Sequence, residues 1–208
     1  APERGSILFP RMFARFSREF PNVTVQLYDQ NFFDLQQLLI EGEIDYVVAV
    51  APLKHQQEAR RRLQSKPFYT EELALIVPLE HRFAAYAGKE GDQGLRIDQL
   101  TGENFICHNP KKVIRHLLDS VLRSHDIIPK ERFEVSNTMG AIDFVSNGLG
   151  VAFVPRMYAL ANPNVRMVPV QPKITWDLTV TFRRDKQQTE AERRMIAILL
   201  EEQQTLSV

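Results

Sequence analysis

Four places in the chain gather side chains able to hold an anion. They are Gly5-Ser6, Gln30-Asn31, His108-Asn109 and Ser136-Asn137-Thr138. Each is expected at a turn just before a helix, where hydroxyls, amides and free backbone N–H groups suit anions such as carboxylates. The same residue types are favoured as helix N-caps in any protein. One such turn alone therefore reads as a cap, and it is the convergence of four that reads as a polar cleft.

Signals for catalysis are poor. Among the five histidines, His55 and His81 stand in charged surface contexts, and His116 and His125 are nine positions apart, off a shared helix face. Cys107-His108 could form a thiolate pair or a metal corner, but neighbours on a strand point to opposite faces and the chain has a single cysteine. Cys107 is better read as a small core residue. There is no Walker loop and no serine elbow. Gly148-Leu149-Gly150 is half of a dinucleotide fingerprint, and it precedes a strand, the wrong order. Glu71-Glu72 reads as a solvated hinge. No cofactor and no metal site is expected.

The elements that must position these groups follow from apolar spacing. Phe9, Met12, Phe13, Phe16 and Phe20 predict a helix with Pro10 in its first turn and Pro21 beyond its end. Val23–Leu27 alternates like a strand. Leu35, Leu38 and Leu39 mark a short helix closed by Gly42, and Ile44–Val50 is a β-type run. Further strands are expected at Leu73–Pro78, Asn104–Cys107, Phe133–Val135 and Gly150–Pro155, with Val165–Val170 and Trp176–Phe182 after them. Helices fall between, over Val113–Leu122 and Met139–Val145, and a last helix opens with a Thr189/Glu192 capping box. Strands alternating with helices imply an α/β architecture with largely parallel sheets.

The 208 residues carry 26 Lys+Arg and 26 Asp+Glu, a zero formal net charge that argues against nucleic-acid binding by this chain itself. No run approaches the ~18–20 apolar residues of a membrane helix. The charged stretch His55–Arg62 reads as a solvated face. The opening Ala1-Pro2-Glu3-Arg4-Gly5 has neither an initiator Met nor a leader pattern, so the chain is expected to be a fragment or a trimmed form.

Four segments, in order, resemble the effector-binding domain of LysR-type transcriptional regulators. They are Leu8–Phe16 with Phe20-Pro21-Asn22-Val23; Leu39–Tyr46; Glu72–Pro78 with His81; and Ala141–Val145 with Gly148–Pro155. The resemblance implies two Rossmann-like lobes with a ligand cleft between them, as in type 2 periplasmic binding proteins. Lobe I would comprise residues 1–72 and 173–208, and lobe II residues 73–172. Effector contacts would come from Gly5, Ser6, Asn31, Phe32, Cys107, His108, Asn109, Asn137 and Thr138. By the resemblance, the family's opening strand would lie just before Ala1-Pro2 and its helix-turn-helix domain N-terminal to this chain.

The resemblance thus implies a cytoplasmic, non-enzymatic sensor of a small, anionic metabolite. It would be a homodimer or tetramer with no membrane partner, touching DNA only through the missing domain. In the dimer, the helix near Phe33–Glu41 would pack on the partner's helix near Val113–Arg123. The alternative is an extracytoplasmic solute-binding protein of the same bilobal fold. An enzyme using His108 and a redox sensor using Cys107 are the other readings considered.

Overall fold

The computed structural model describes residues 2–28, 30, 32–50, 61–89, 94–160 and 162–202. Asn31, most of the charged stretch His55–Arg62 and part of the polar loop near residue 90 lie outside them. The chain divides into two compact units, Ala1–Thr70 with Asp177–Val208, and Glu71–Trp176. No helix among the described residues is long and apolar enough to cross a membrane.

In the first unit, helix α1 spans Pro2–Glu19. It starts earlier than the apolar spacing suggests. Pro2 supplies the fixed φ and missing N–H that a first helical position tolerates, so the turn expected at Gly5-Ser6 is helix instead. Pro10 then lies in the helix interior. The inner face buries Met12 and Phe16, with ring stacks Phe9–Phe13 and Phe16–Phe20 at 5.5 and 5.1 Å. It packs on the apolar face of the last helix, through Met195, Ile198 and Leu199.

The expected strand at Val23–Leu27 does not form. Val23, Val25, Leu27 and Tyr28 lie outside any helix or strand and are exposed, and they line a groove of about 390 Å³ together with Phe13, Phe16 and the next strand. Alternation suits a strand, yet a strand needs a ladder partner, and none faces this segment among the described residues.

Helix α2 is Phe32–Glu41 and strand β1 is Tyr46–Val50. Gly42, at φ +86°, makes the left-handed turn between them. Strand β2 (Leu63–Pro78) and strand β9 (Ile174–Arg183) each run from one unit into the other. β9 pairs antiparallel with β1, Tyr46 facing Phe182. Helix α6 (Glu190–Glu202) closes the unit with the expected capping box. The Glu192 N–H donates to Thr189 Oγ1 (3.2 Å) and the Thr189 N–H to Glu192 Oε2 (2.7 Å).

The second unit is built on the C-terminal half of β2. Strand β3 is Leu95–Arg96, β4 Asn104–His108, helix α3 Val113–Ser124 and strand β5 Glu131–Val135. Helix α4 (Thr138–Ser146), strand β6 (Ala152–Pro155), helix α5 (Arg156–Leu160), strand β7 (Val165–Val168) and strand β8 (Val170–Gln171) follow. The pairing is mixed rather than largely parallel. β4/β5 and β3/β8 are parallel, whereas β6 and β7 flank β2 antiparallel, since β2 enters as a single long crossing strand.

Successive side chains on a strand face opposite sides, and here each side has its own core. Leu73, Leu75, Val77, Phe105, Cys107, Val151 and Phe153 join Ile114, Leu118 and Leu122 of α3 on one face. Ala74, Ile76, Ile106, Ala152 and Val154 join Ala141, Ile142 and Val145 of α4 on the other. That double burial is why these strands read as unbroken apolar runs.

Candidate functional site

The register of β4 and β5 brings two of the anticipated turns to one edge of the sheet. Cys107 is level with Glu134, and His108 with Val135. Both strands run the same way, so both end there, and each passes into a helix: Asn109–Lys112 leads to α3, and Ser136-Asn137 leads to α4. Ligands in open α/β sheets collect at such strand ends.

The two turns are tied together. The Asn109 N–H donates to the carbonyl of Val135 (2.9 Å). Buried His108 and buried Thr138 share a hydrogen bond, Nε2 to Oγ1 at 3.3 Å. Thr138 is the first residue of α4, so its hydroxyl stands at the positive end of that helix.

The two asparagines act as turn builders. Asn137 is the N-cap of α4, its Oδ1 accepting from the Gly140 N–H (2.8 Å), and Asn109 Oδ1 accepts from the Lys111 N–H (3.0 Å). Both are exposed, and each side-chain amide adds donors at the site's rim.

Cys107 is elsewhere. It is fully buried on the α3 face, one side chain away from His108 and therefore on the opposite side of the sheet. Burial pushes its thiol above the usual range, outweighing the pull of Arg115 and Arg132 toward the thiolate. A redox role for Cys107 draws no support from such a thiol.

Of the first-unit candidates, Gly5 and Ser6 lie within α1, Asn31 lies outside the described residues, and Phe32 opens α2. The Phe32 ring meets Phe33 edge-on at 5.9 Å and packs against the cluster of Leu35 and Leu39.

Two readings of charged residues are corrected. Glu71 is buried, not solvated, and its Oε2 accepts from Trp176 Nε1–H at 2.7 Å. His81 is partly buried. Its Nδ1 accepts from the Phe83 N–H, capping a 3-10 turn at Arg82–Tyr86, and its Nε2 lies 3.2 Å from Glu103 Oε2.

One residue at these strand ends was not anticipated. The Arg115 guanidinium donates to the His108 carbonyl (3.1 Å), Glu134 Oε1 (3.0 Å) and Asp119 Oδ2 (2.9 Å). The Arg115/Asp119 spacing is a visible i,i+4 pair in the sequence. The contacts across to β4 and β5 depend on strand register. Among the described residues, no group of three or more His, Cys, Asp or Glu side chains is placed to hold a metal ion.

With its mixed α/β units and crossing strands, the fold is of the type 2 periplasmic-binding-protein kind. A family model described as the LysR substrate binding domain matches residues 2–204, and the chain belongs to that family. It is 31% identical over 154 residues to a probable RuBisCO transcriptional regulator of Trieres chinensis, covering 72% of this chain and 48% of that protein. The chain spans about half the length of the curated relatives it matches. Among solved structures it resembles the Synechocystis PCC6803 CcmR regulatory domain in complex with 2-PG. The TM-score is 0.80 and the identity 17%, over 95% of this chain and 91% of that one. It also resembles the effector binding domain of QuiR in complex with shikimate, with TM-score 0.78 and 16% identity, over 95% and 90%.

Proposed function

We propose that this domain senses a small anionic metabolite on behalf of a LysR-type transcriptional regulator. DNA would be contacted by a helix-turn-helix domain in the remainder of the protein. The observation that carries the reading is the joined pair of polar turns at one strand edge, with His108 and Thr138 bonded beneath it and the start of α4 beside them. Those groups are hydrogen-bond donors and a positive helix end, suited to an acid. The regulator names of the relatives and the acids in the neighbours' titles, 2-PG and shikimate, support the same chemistry.

Sensing requires that the acid bind one arrangement of the protein better than another. Nothing in this reading needs a base or a nucleophile, so the ligand leaves unchanged. In the cell we place the protein in the cytoplasm, as a homodimer or tetramer using α2 and α3. Sedimentation velocity tests the assembly.

The experiment is a thermal-shift and calorimetric titration with 2-PG, shikimate and small dicarboxylates. Binding by at least one acid, weakened in Thr138→Val and with the acid recovered intact, is the expected result. A binder that is consumed would return the enzyme reading.

A further inference from the structure

We propose that Arg115 is a positioning residue: one guanidinium fixes the ends of β4 and β5 and so sets the spacing of the two polar turns. The proposal rests on the sensing function above. Arg115 is in the first turn of α3, where a cation opposes the helix dipole. Its side chain is only 12% exposed, so this cation is also largely desolvated. A guanidinium serving only to pair Asp119 four residues on would need neither burial nor further acceptors. Arg115 instead reaches the backbone carbonyl of His108, the last residue of β4, and the carboxylate of Glu134, next to last in β5.

Asp119 is itself held by Arg132 Nη1–H at 2.9 Å, so the fork has a fixed anchor on α3. Burial would lower the guanidinium's pKa, but the bonds to Glu134 and Asp119 outweigh it and keep it charged. His108 is thus gripped twice, at its carbonyl by Arg115 and at its ring by Thr138. Arginine's planar fork serves several acceptors at once, which a lysine ammonium on a flexible stem does not reproduce.

The test compares Arg115→Lys and Glu134→Gln with the parent domain. Amide hydrogen exchange is followed at Asn109, Lys111 and Gly140, with Leu75, Ile76 and Val77 as core controls. Arg115→Lys is expected to speed exchange at the turn amides roughly tenfold, the scale of one lost charge-assisted hydrogen bond. Core amides should be unmoved and the melting temperature nearly so. Glu134→Gln, which keeps an acceptor, should give a smaller, few-fold change. Affinity for the acids above should fall in the same order.

Turn amides unchanged in Arg115→Lys would overturn the proposal. So would core amides accelerating along with the turns, which marks general loosening. The exchange result stands without a ligand. If no acid binds the parent, the sensing reading fails while the positioning claim is still decided.

Discussion

Replacing Gly150 by Ala tests how strand β4 is seated. A Cβ at Gly150 would stand 2.4 Å from the carbonyl oxygen of Asn104 and 3.0 Å from its carbon, both backbone atoms that no rotamer change can move. That carbonyl accepts the Val151 N–H at 2.8 Å, and the Val151 carbonyl accepts the Ile106 N–H at 2.9 Å, so the same three residues zip β4 onto the sheet. Relief requires pushing β4 outward. Overpacking costs about 1–3 kcal/mol and each weakened hydrogen bond about 0.5–1.5 kcal/mol, so a total near 2–4 kcal/mol is expected. For a chain of this size that lowers the melting temperature by roughly 4–16 °C. Scanning calorimetry of Gly150→Ala beside Gly148→Ala provides the contrast. Gly148 has φ +78°, and a Cβ there would meet nothing within 4 Å, so only backbone strain of about 1 kcal/mol applies. If Gly150→Ala melts within about 2 °C of the parent, or no lower than Gly148→Ala, the seating argument is wrong.

Other expectations follow from single groups. Cys107 should resist a thiol reagent at pH 8 while folded and react readily in denaturant, because it is fully buried and its thiol is pushed up by burial; equal rates would contradict the placement. Glu192 titrates below the ordinary 4.5: burial alone would raise it, but the Lys186 ammonium and the Thr189 N–H outweigh that. A depressed carboxylate stabilises the fold above its unfolded pKa and loses that contribution as pH falls through the folded one. Glu192→Gln should therefore cost about 1 kcal/mol at pH 7 and flatten the acid-side loss of stability below about pH 4.5, read by urea melts at several pH values. Gly42→Ala should destabilise too, since its Cβ would meet the Arg183 guanidinium in a left-handed turn; a melt unchanged from the parent would count against that turn.

What the residue order reveals, and what it hides, divides along physical lines. Leu73–Pro78 and Gly150–Pro155 are legible because a strand covered on both faces must be apolar at every position. The Thr189/Glu192 box is legible because its bonds are local. The start of α1 is not, since Pro2 and Pro10 are both compatible with a first helical turn. Val23–Leu27 misleads because alternation describes a face, whereas a strand also needs a neighbour. Glu71 looks solvated until the chain brings Trp176, distant in sequence, to its carboxylate. In the candidate site, the polar turns at His108-Asn109 and Asn137-Thr138 are visible as residue types before helices. The opposite facing of Cys107 follows from strand geometry. The Arg115 bridge depends on the β4/β5 register, which no local pattern encodes.

The most direct measurement is a calorimetric titration of the parent domain and Thr138→Val with the same panel of phosphate- and carboxylate-bearing acids. Valine keeps the shape of threonine but removes the hydroxyl that faces His108 at the start of α4. Losing a buried hydrogen bond to an anion is expected to weaken binding of the best acid roughly tenfold or more, with the fold intact by circular dichroism. Equal affinity in the two proteins would contradict the assignment of these turns as the site, and no binding of any acid by the parent would contradict the sensing function itself.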